Sequence, residues 1–229
     1  MKQNKPMVSV LFMLCSILFC VCLITANLLG TKLISIANIS LTGGILIFPV
    51  SYVINDCVSE VWGYRKARLL IWTGFAMNLF VVLLGALCDA IPPAPYYTNA
   101  DGFHSVFGLA PRIAVASFMA FLCGSFANAW VMSKMKIASN GHNFSARAIA
   151  STIAGEGLDS LIFFPIAFLG IVPLAELPIL MFWQVLLKTL YEVLVLPITI
   201  NVVALLKRYE GEDTFDVGVD YNILKIFSI

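Results

Sequence analysis

Six apolar runs, each close to twenty residues or longer, divide this chain at about 7–29, 43–61, 69–88, 113–132, 148–172 and 178–206. An α-helix rises 1.5 Å per residue, so about 20 apolar residues cross a hydrocarbon core of about 30 Å. Lipid offers backbone groups no hydrogen-bond partner, so each run is read as a helix that satisfies its own. The expected fold is therefore an all-α integral membrane protein with six transmembrane helices in a single domain over 1–229, the last 23 residues forming a tail from 207. Composition excludes a soluble enzyme: 60% of the residues are hydrophobic and 12% charged, against about 25% charged in soluble domains. The net charge of +1 leaves no basic excess for a nucleic acid. The sixth run is long enough to tilt, and Pro197 is placed to kink it.

The first run, at 23 residues, exceeds a signal-peptide core and lacks an A-x-A cleavage pattern, so it reads as a retained helix. Basic residues resist translocation. With the N-terminus inside, Lys2, Lys5, Arg65, Lys66, Arg68, Lys134, Lys136, Arg147, Lys207, Arg208 and Lys225 fall on the inner side, and Lys32 and Arg112 on the outer. Both termini are expected in the cytoplasm. The one long loop, 89–112, carries Pro92-Pro93-Ala94-Pro95 before Tyr96 and Tyr97, a stiff segment suited to the membrane surface. His104 and His142 have no partner at metal spacing and read as solvated. Cys15, Cys20, Cys22, Cys57, Cys88 and Cys123 read as small apolar fillers. Glu210, Glu212, Asp213, Asp216 and Asp220 give the tail the composition of a solvated end.

A charge at the centre of a bilayer costs at least about 2.5–3.5 kcal/mol, so one retained there has a partner or a task. Asp56 and Glu60 share a helix face at i, i+4; Glu156 and Asp159 do so at i, i+3; Lys188 and Glu192 lie at i, i+4 and are spaced to pair directly. Three such pairs on three helices point to a shared polar cavity, with crowding that keeps at least one carboxyl protonated. Asn78, Asn128 and Gln184 add groups that donate and accept. Tyr52, Trp130, Trp183 and Tyr191 offer flat surfaces for a planar ring. Glycines at 74, 85, 124 and 155 permit close helix approach, and Gly155-Glu156-Gly157 exposes backbone around a buried acid. The acidic pairs fall on the middle helix of each three-helix half, the pattern of a 3+3 inverted pseudo-repeat with a site near the midplane. No relay to both surfaces is evident, which favours passive movement of a substrate.

Four segments resemble one family. They are Asn55-Asp56-Cys57-Val58-Ser59-Glu60-Val61-Trp62-Gly63-Tyr64-Arg65-Lys66-Ala67-Arg68, Arg112-Ile113-Ala114-Val115-Ala116-Ser117, Gly155-Glu156-Gly157-Leu158-Asp159-Ser160-Leu161-Ile162-Phe163 and Lys188-Thr189-Leu190-Tyr191-Glu192-Val193-Leu194. Together they resemble the queuosine precursor transporters, within the vitamin uptake transporter group. The resemblance implies a six-helix importer in the bacterial inner membrane that moves 7-cyano-7-deazaguanine or its aminomethyl relative. It implies no catalytic residue, cofactor or metal. The implied partners are a small planar deazapurine and the lipid bilayer, with a homodimer compatible. Asp56, Asp159 and Lys188 carry over most directly, whereas Asn128 stands where the family pattern leads one to expect an acid. The candidate substrate-binding set is Asp56, Glu60, Asn78, Asn128, Glu156, Asp159, Gln184, Lys188, Tyr191 and Glu192. Two alternatives stay open. A subunit of an energy-coupling-factor importer would carry A-x-x-x-A on its first helix, which 7–29 lacks, and an intramembrane enzyme would carry H-E-x-x-H or Gly-x-Gly-Asp, found nowhere in the chain.

Overall fold

The structure, a computed structural model, describes residues 8–36, 39–108, 111–170, 173–175 and 177–226. Lys2 and Lys5, on which part of the orientation rests, lie outside the described residues. Helix α1 spans Val10–Gly30, a mostly apolar run interrupted by Ser16, Thr25 and Asn27, and Ser9 caps it by accepting the Phe12 amide at 3.2 Å. A hairpin of β1 (Leu33–Ile36) and β2 (Ile39–Thr42) follows, antiparallel, with Ile36 opposite Ile39. The all-α expectation is corrected to this extent: Ile34, Ile36 and Ile39 are β-branched and alternate with Ser35 and Ser40, a strand pattern too short to stand out between two spans. A 3₁₀ turn, Gly43–Leu46, then presses its backbone on α1, where a Cβ on Gly43 would sit 2.6 Å from the Leu29 carbonyl.

Helix α2 runs from Phe48 to Asp89, and at Gly63 its backbone leaves the helix, with φ 81° and ψ 175°. Contacts with α1 show what that break does. Gly43 and Gly44 lie against Leu29 and Ala26, Trp62 meets Phe12 edge-on at 5.5 Å, Gly74 underlies Phe19 and Leu23, and Asn78 accepts from Asn27 at 2.8 Å. The first arm therefore runs back along α1 and the second retraces it. Instead of the connecting loop expected between 61 and 69, a single glycine makes the reversal, because only glycine adopts that φ without strain.

Helix α3, Ala100–Phe107, lies within the 89–112 segment and sets Phe107 over Gly85 of α2. Its His104 bonds Asp89 at 2.6 Å, so the histidine is exposed but engaged. Helices α4 (Pro111–Ala138), α5 (Phe144–Phe168) and α6 (Leu177–Glu210) complete the chain, and α4 and α5 form the most extensive helix pair. Among the described residues, five helices, α1, α2, α4, α5 and α6, are long and apolar enough to cross a membrane. Their surfaces are inverted relative to a soluble protein. Leu83, Leu87, Leu194 and Ile198 face outward while Asp56, Glu60 and Glu156 are buried, an arrangement that fits lipid as the solvent.

The tail departs from the solvated end expected of it. Thr214 donates its amide to the Val61 carbonyl at 3.1 Å, and Asp216, buried, accepts the Tyr64 amide and the Ser133 hydroxyl. Arg68 reaches the carbonyls of Asp220 and Asn222, and the Trp72 indole donates to the Ile223 carbonyl at 2.8 Å. Its charges find backbone and side-chain partners at the end of the bundle that holds Gly63.

Candidate functional site

Helical spacing gathers the polar residues of the interior. On the first arm of α2, Tyr52, Asn55, Asp56 and Ser59 follow i, i+3, i+4, i+7 and so share one face. Helix α5 turns Ser151, Thr152, Glu156, Asp159 and Ser160 inward, α4 contributes Ser125 and Asn128, and α6 contributes Lys188 and Glu192. All of these are buried, with Asp56 and Glu156 at 0% exposure. Two glycines let them converge. A Cβ on Gly124 would lie 2.8 Å from the Gly155 carbonyl, one on Gly155 would lie 2.9 Å from the Gly124 carbonyl, and both would meet the Tyr52 side chain. Helices α4 and α5 thus touch backbone to backbone, with the Tyr52 ring across the contact.

The Lys188 ammonium lies 2.5 Å from Glu156 Oε2 and 3.8 Å from Asp159 Oδ2, and 4.2 Å from the centroid of the Phe48 ring. This corrects the direct Lys188–Glu192 pair expected from their spacing. Two carboxylates on α5 and an aromatic face on α2 outcompete a neighbour one turn along α6. Glu192 is buried on α6, and its Oε2 finds no hydrogen-bond partner. Asp56 accepts from the Ser151 hydroxyl at 3.2 Å, and Asn55 donates to Asn128 Oδ1 at 2.8 Å and to the Ser125 carbonyl at 3.2 Å.

The same layer holds many polar atoms without partners. They are the hydroxyls of Tyr52, Ser59, Thr152, Ser160 and Thr189, Asn55 Oδ1, Asn128 Nδ2, Glu156 Oε1 and Glu192 Oε2. An unsatisfied buried polar atom costs about 1–3 kcal/mol, and native proteins carry few of them. Their concentration on α2, α4, α5 and α6 makes this layer the candidate site, since a ligand rich in donors and acceptors would satisfy them.

Not every residue singled out from the sequence sits in this layer. Glu60 lies one turn from Asp56 and is held by Arg147, by Lys207 at 2.7 Å and by Lys136 at 3.8 Å, a separate charged cluster toward the Gly63 end. Asn78 pairs with Asn27 beside a small cavity lined by Ile24, Val82 and Phe107, between α1, the second arm of α2 and α3. Gln184 and Tyr191 are half-buried on α6. Trp130 and Trp183 face outward at 47% and 46% exposure, so the aromatic surfaces at the polar layer are Tyr52 and Phe48. Phe48, Asn55, Ser59, Thr152 and Ser160 are additions that only the structure singles out, although all but Phe48 share a helical face with an acid already noted. Among the described residues, no three His, Cys, Asp or Glu side chains are grouped to hold a metal ion.

Residues 42–202 match the family model described as "Putative vitamin uptake transporter". The "Probable queuosine precursor transporter" of Bacillus subtilis (strain 168) is 28% identical over 153 residues, which cover 66% of this chain and 66% of that protein. The "Queuosine precursor transporter" of Escherichia coli (strain K12) is 29% identical over 147 residues, 63% of this chain and 62% of that one. The chain therefore spans just under two thirds of the length of these curated relatives. No solved structure matches.

Proposed function

This multi-pass membrane chain belongs to the vitamin uptake transporter family, a family of transporters and not of enzymes, and from that membership we propose that it imports a queuosine precursor. In this reading the substrate is 7-cyano-7-deazaguanine or its aminomethyl relative, and it crosses the bacterial inner membrane by alternating access. The observation that carries the reading is the closed layer of unpartnered polar atoms among α2, α4, α5 and α6. A guanine-like edge presents N1–H and an amine side by side, two donors that one carboxylate accepts together, and beside them a carbonyl that needs a donor. Glu156, Asp159 and Asp56 offer the acceptors; Lys188 and the free Asn128 amide offer the donors. Phe48 and Tyr52 provide faces on which a flat heterocycle stacks.

Orientation follows the same reading. With the two arms of α2 counted separately, the chain crosses six times and both termini lie in the cytoplasm. Arg65, Lys66, Arg68, Lys134, Lys136, Arg147, Lys207, Arg208 and Lys225 gather at the Gly63 end, and Lys32 lies at the other. The 3+3 inverted repeat belongs to the proposal through the acidic pairs on the second and fifth crossings.

Equilibrium binding of a panel of deazaguanines, with guanine and an unrelated vitamin as controls, tests the substrate. Binding of the deazaguanines is expected, and Asp159→Asn should weaken it roughly 10- to 150-fold, the loss of one charge-assisted hydrogen bond. A panel that does not bind would reject the reading.

A further inference from the structure

Two buried asparagines fix each other's polarity. Asn55, on the first arm of α2, donates its side-chain amide to the Ser125 carbonyl at 3.2 Å and to Asn128 Oδ1 at 2.8 Å. A backbone carbonyl can only accept, so the amide nitrogen of Asn55 must face α4, and both of its hydrogens are spent there. The atom of Asn128 that meets it must then be the oxygen. Asn55 Oδ1 and Asn128 Nδ2 are left over, buried and without a partner. Neither amide turns over without setting two donors or two acceptors face to face.

The unpartnered atoms of the polar layer differ in what they offer a ligand. Free hydroxyls donate or accept as the ligand requires, and the free oxygens of Asn55, Glu156 and Glu192 accept when the acids are ionised. Among the described residues of the layer, Asn128 Nδ2 alone is a committed donor left without an acceptor. The ammonium of Lys188 is engaged with Glu156 and Asp159. Asn128 also stands at the centre of the helix contact. Its Cβ lies 2.9 Å from where a Cβ on Gly155 would be, next in sequence to Glu156, and the Tyr52 ring borders the same glycine.

We propose that Asn128 determines specificity by donating its free amide to the ring carbonyl of a 6-oxo base, with Asn55 as the positioning residue that holds it in that polarity; this rests on the import reading above and assigns one atom of the ligand within it. On a guanine-like edge the carbonyl is the strongest acceptor and stands next to N1–H, so a committed donor together with a carboxylate matches the edge. A 6-amino base carries a donor where the carbonyl was. Asn128, unable to turn because Asn55 holds its oxygen, meets that base donor to donor. A site built around a fixed hydrogen bond rejects the mismatched ligand, because a buried group on each side is left unpaired. A lone asparagine would rotate its amide to suit either ligand, and the bond from Asn55 removes that choice. Selection of 6-oxo over 6-amino is thereby independent of the substituent on carbon 7.

Equilibrium binding to the full chain in detergent tests this with two probes, 7-cyano-7-deazaguanine and its 6-amino analogue, and the readout is the ratio of their dissociation constants. The wild type is expected to favour the 6-oxo probe. Asn128→Leu removes the donor at similar size, and Asn55→Leu leaves Asn128 in place but frees its amide; each should lower the preference about tenfold. A merely structural role would weaken both probes alike. An unchanged ratio in both variants would therefore overturn the proposal, while binding to the wild type would leave the import reading intact. A ratio that falls in Asn128→Leu alone would keep the carbonyl contact and strike the positioning role of Asn55. Should one variant fail to insert, the other carries the measurement. 7-Aminomethyl-7-deazaguanine serves as a third probe: a changed cyano-to-aminomethyl ratio with the oxo-to-amino ratio unmoved would put the amide on the carbon 7 substituent and overturn the proposal. A wild type that bound none of the probes would sink the import reading and the carbonyl assignment with it.

Discussion

Both oxygens of the Asp216 carboxylate accept the backbone N–H of Tyr64, at 2.9 and 3.1 Å, across the break that Gly63 makes in α2. The second arm of α2 begins there with amides that have no partner within the helix, and a carboxylate 152 residues away in sequence caps it. Thr214 meets the carbonyl of Val61 on the other side of the break, so the tail serves both arms at once. A Cβ on Gly63 would lie 2.7 Å from Asp216 Oδ1, so the glycine is needed for its φ and for the close approach of its cap.

Asp216→Ala removes the cap and leaves the buried Ser133 hydroxyl with one partner fewer. The loss should be about 1–2 kcal/mol from the cap alone. It should appear as a lower apparent melting temperature in detergent, with Asp216→Asn milder because an amide oxygen still accepts. Wild-type melting in both variants would show that the tail does not fasten the break.

Asp213 ties the tail to α4 and α6. Burial works to raise its pKa, but the hydrogen bonds and charges of Lys136 and Lys207 prevail and hold it below the ordinary aspartate value. A carboxyl with a depressed folded pKa contributes stability that is present above its unfolded value of about 3.9 and is lost as pH falls through the folded one. Trp72, whose indole donates to Ile223 of the tail, is the natural probe. Its fluorescence should stay constant from neutral pH to about 4 and change below that. The side chain of Asp213 is half exposed, so the effect is small, and Asp213→Asn should remove the acid step attributable to it.

The sequence reveals the spanning helices because an apolar run of membrane length rarely folds as anything else, and it reveals Asp56, Glu156, Asp159 and Lys188 because a charge inside such a run stands out. Three features escape it for physical reasons. The reversal at Gly63 needs one residue in a left-handed conformation, which leaves no mark on a hydropathy pattern beyond a glycine. Asp216 reads as a solvated acid because its partner is a backbone amide, which no side-chain pattern discloses. Lys188 pairs with Glu156 on another helix although a local rule offers Glu192, since i, i+4 spacing states only which residues can meet. Asn55, Ser59, Thr152 and Ser160 were discoverable from their shared face with the acids, but uncharged polar residues are too common in membrane helices to be singled out alone.

Lys188→Ala strands Glu156 and Asp159 without their cation. Breaking a buried pair from one side costs about 3–5 kcal/mol, more than removing both partners. The double variant Lys188→Met with Glu156→Gln should therefore unfold at a higher temperature than Lys188→Ala, while both lose transport. If Lys188→Ala proved as stable as wild type yet inactive, the ammonium would serve the substrate and contribute nothing to the fold.

Gly155 and Gly157 flank Glu156 in the same helix and have opposite surroundings, which makes them a controlled pair. A methyl group on Gly155 would lie 2.8 Å from the Tyr52 ring, 2.9 Å from the Asn128 Cβ and 2.9 Å from the Gly124 carbonyl, and the last of these is backbone that cannot rotate away. Helix α5 would have to move off α4, carrying Glu156 and Asp159 away from Lys188. Overpacking of this kind costs about 1–3 kcal/mol. Gly157 has nothing within 4 Å of a built Cβ. There alanine only reduces the freedom of the unfolded chain and improves helix propensity, by about 0.5–1 kcal/mol. Gly155→Ala is thus expected to lower the melting temperature and to depress uptake well beyond its effect on the amount of inserted protein, and Gly157→Ala to melt at or above the wild-type temperature with uptake retained. Equal behaviour of the two variants would mean that the contact between α4 and α5 does not set the geometry of the polar layer.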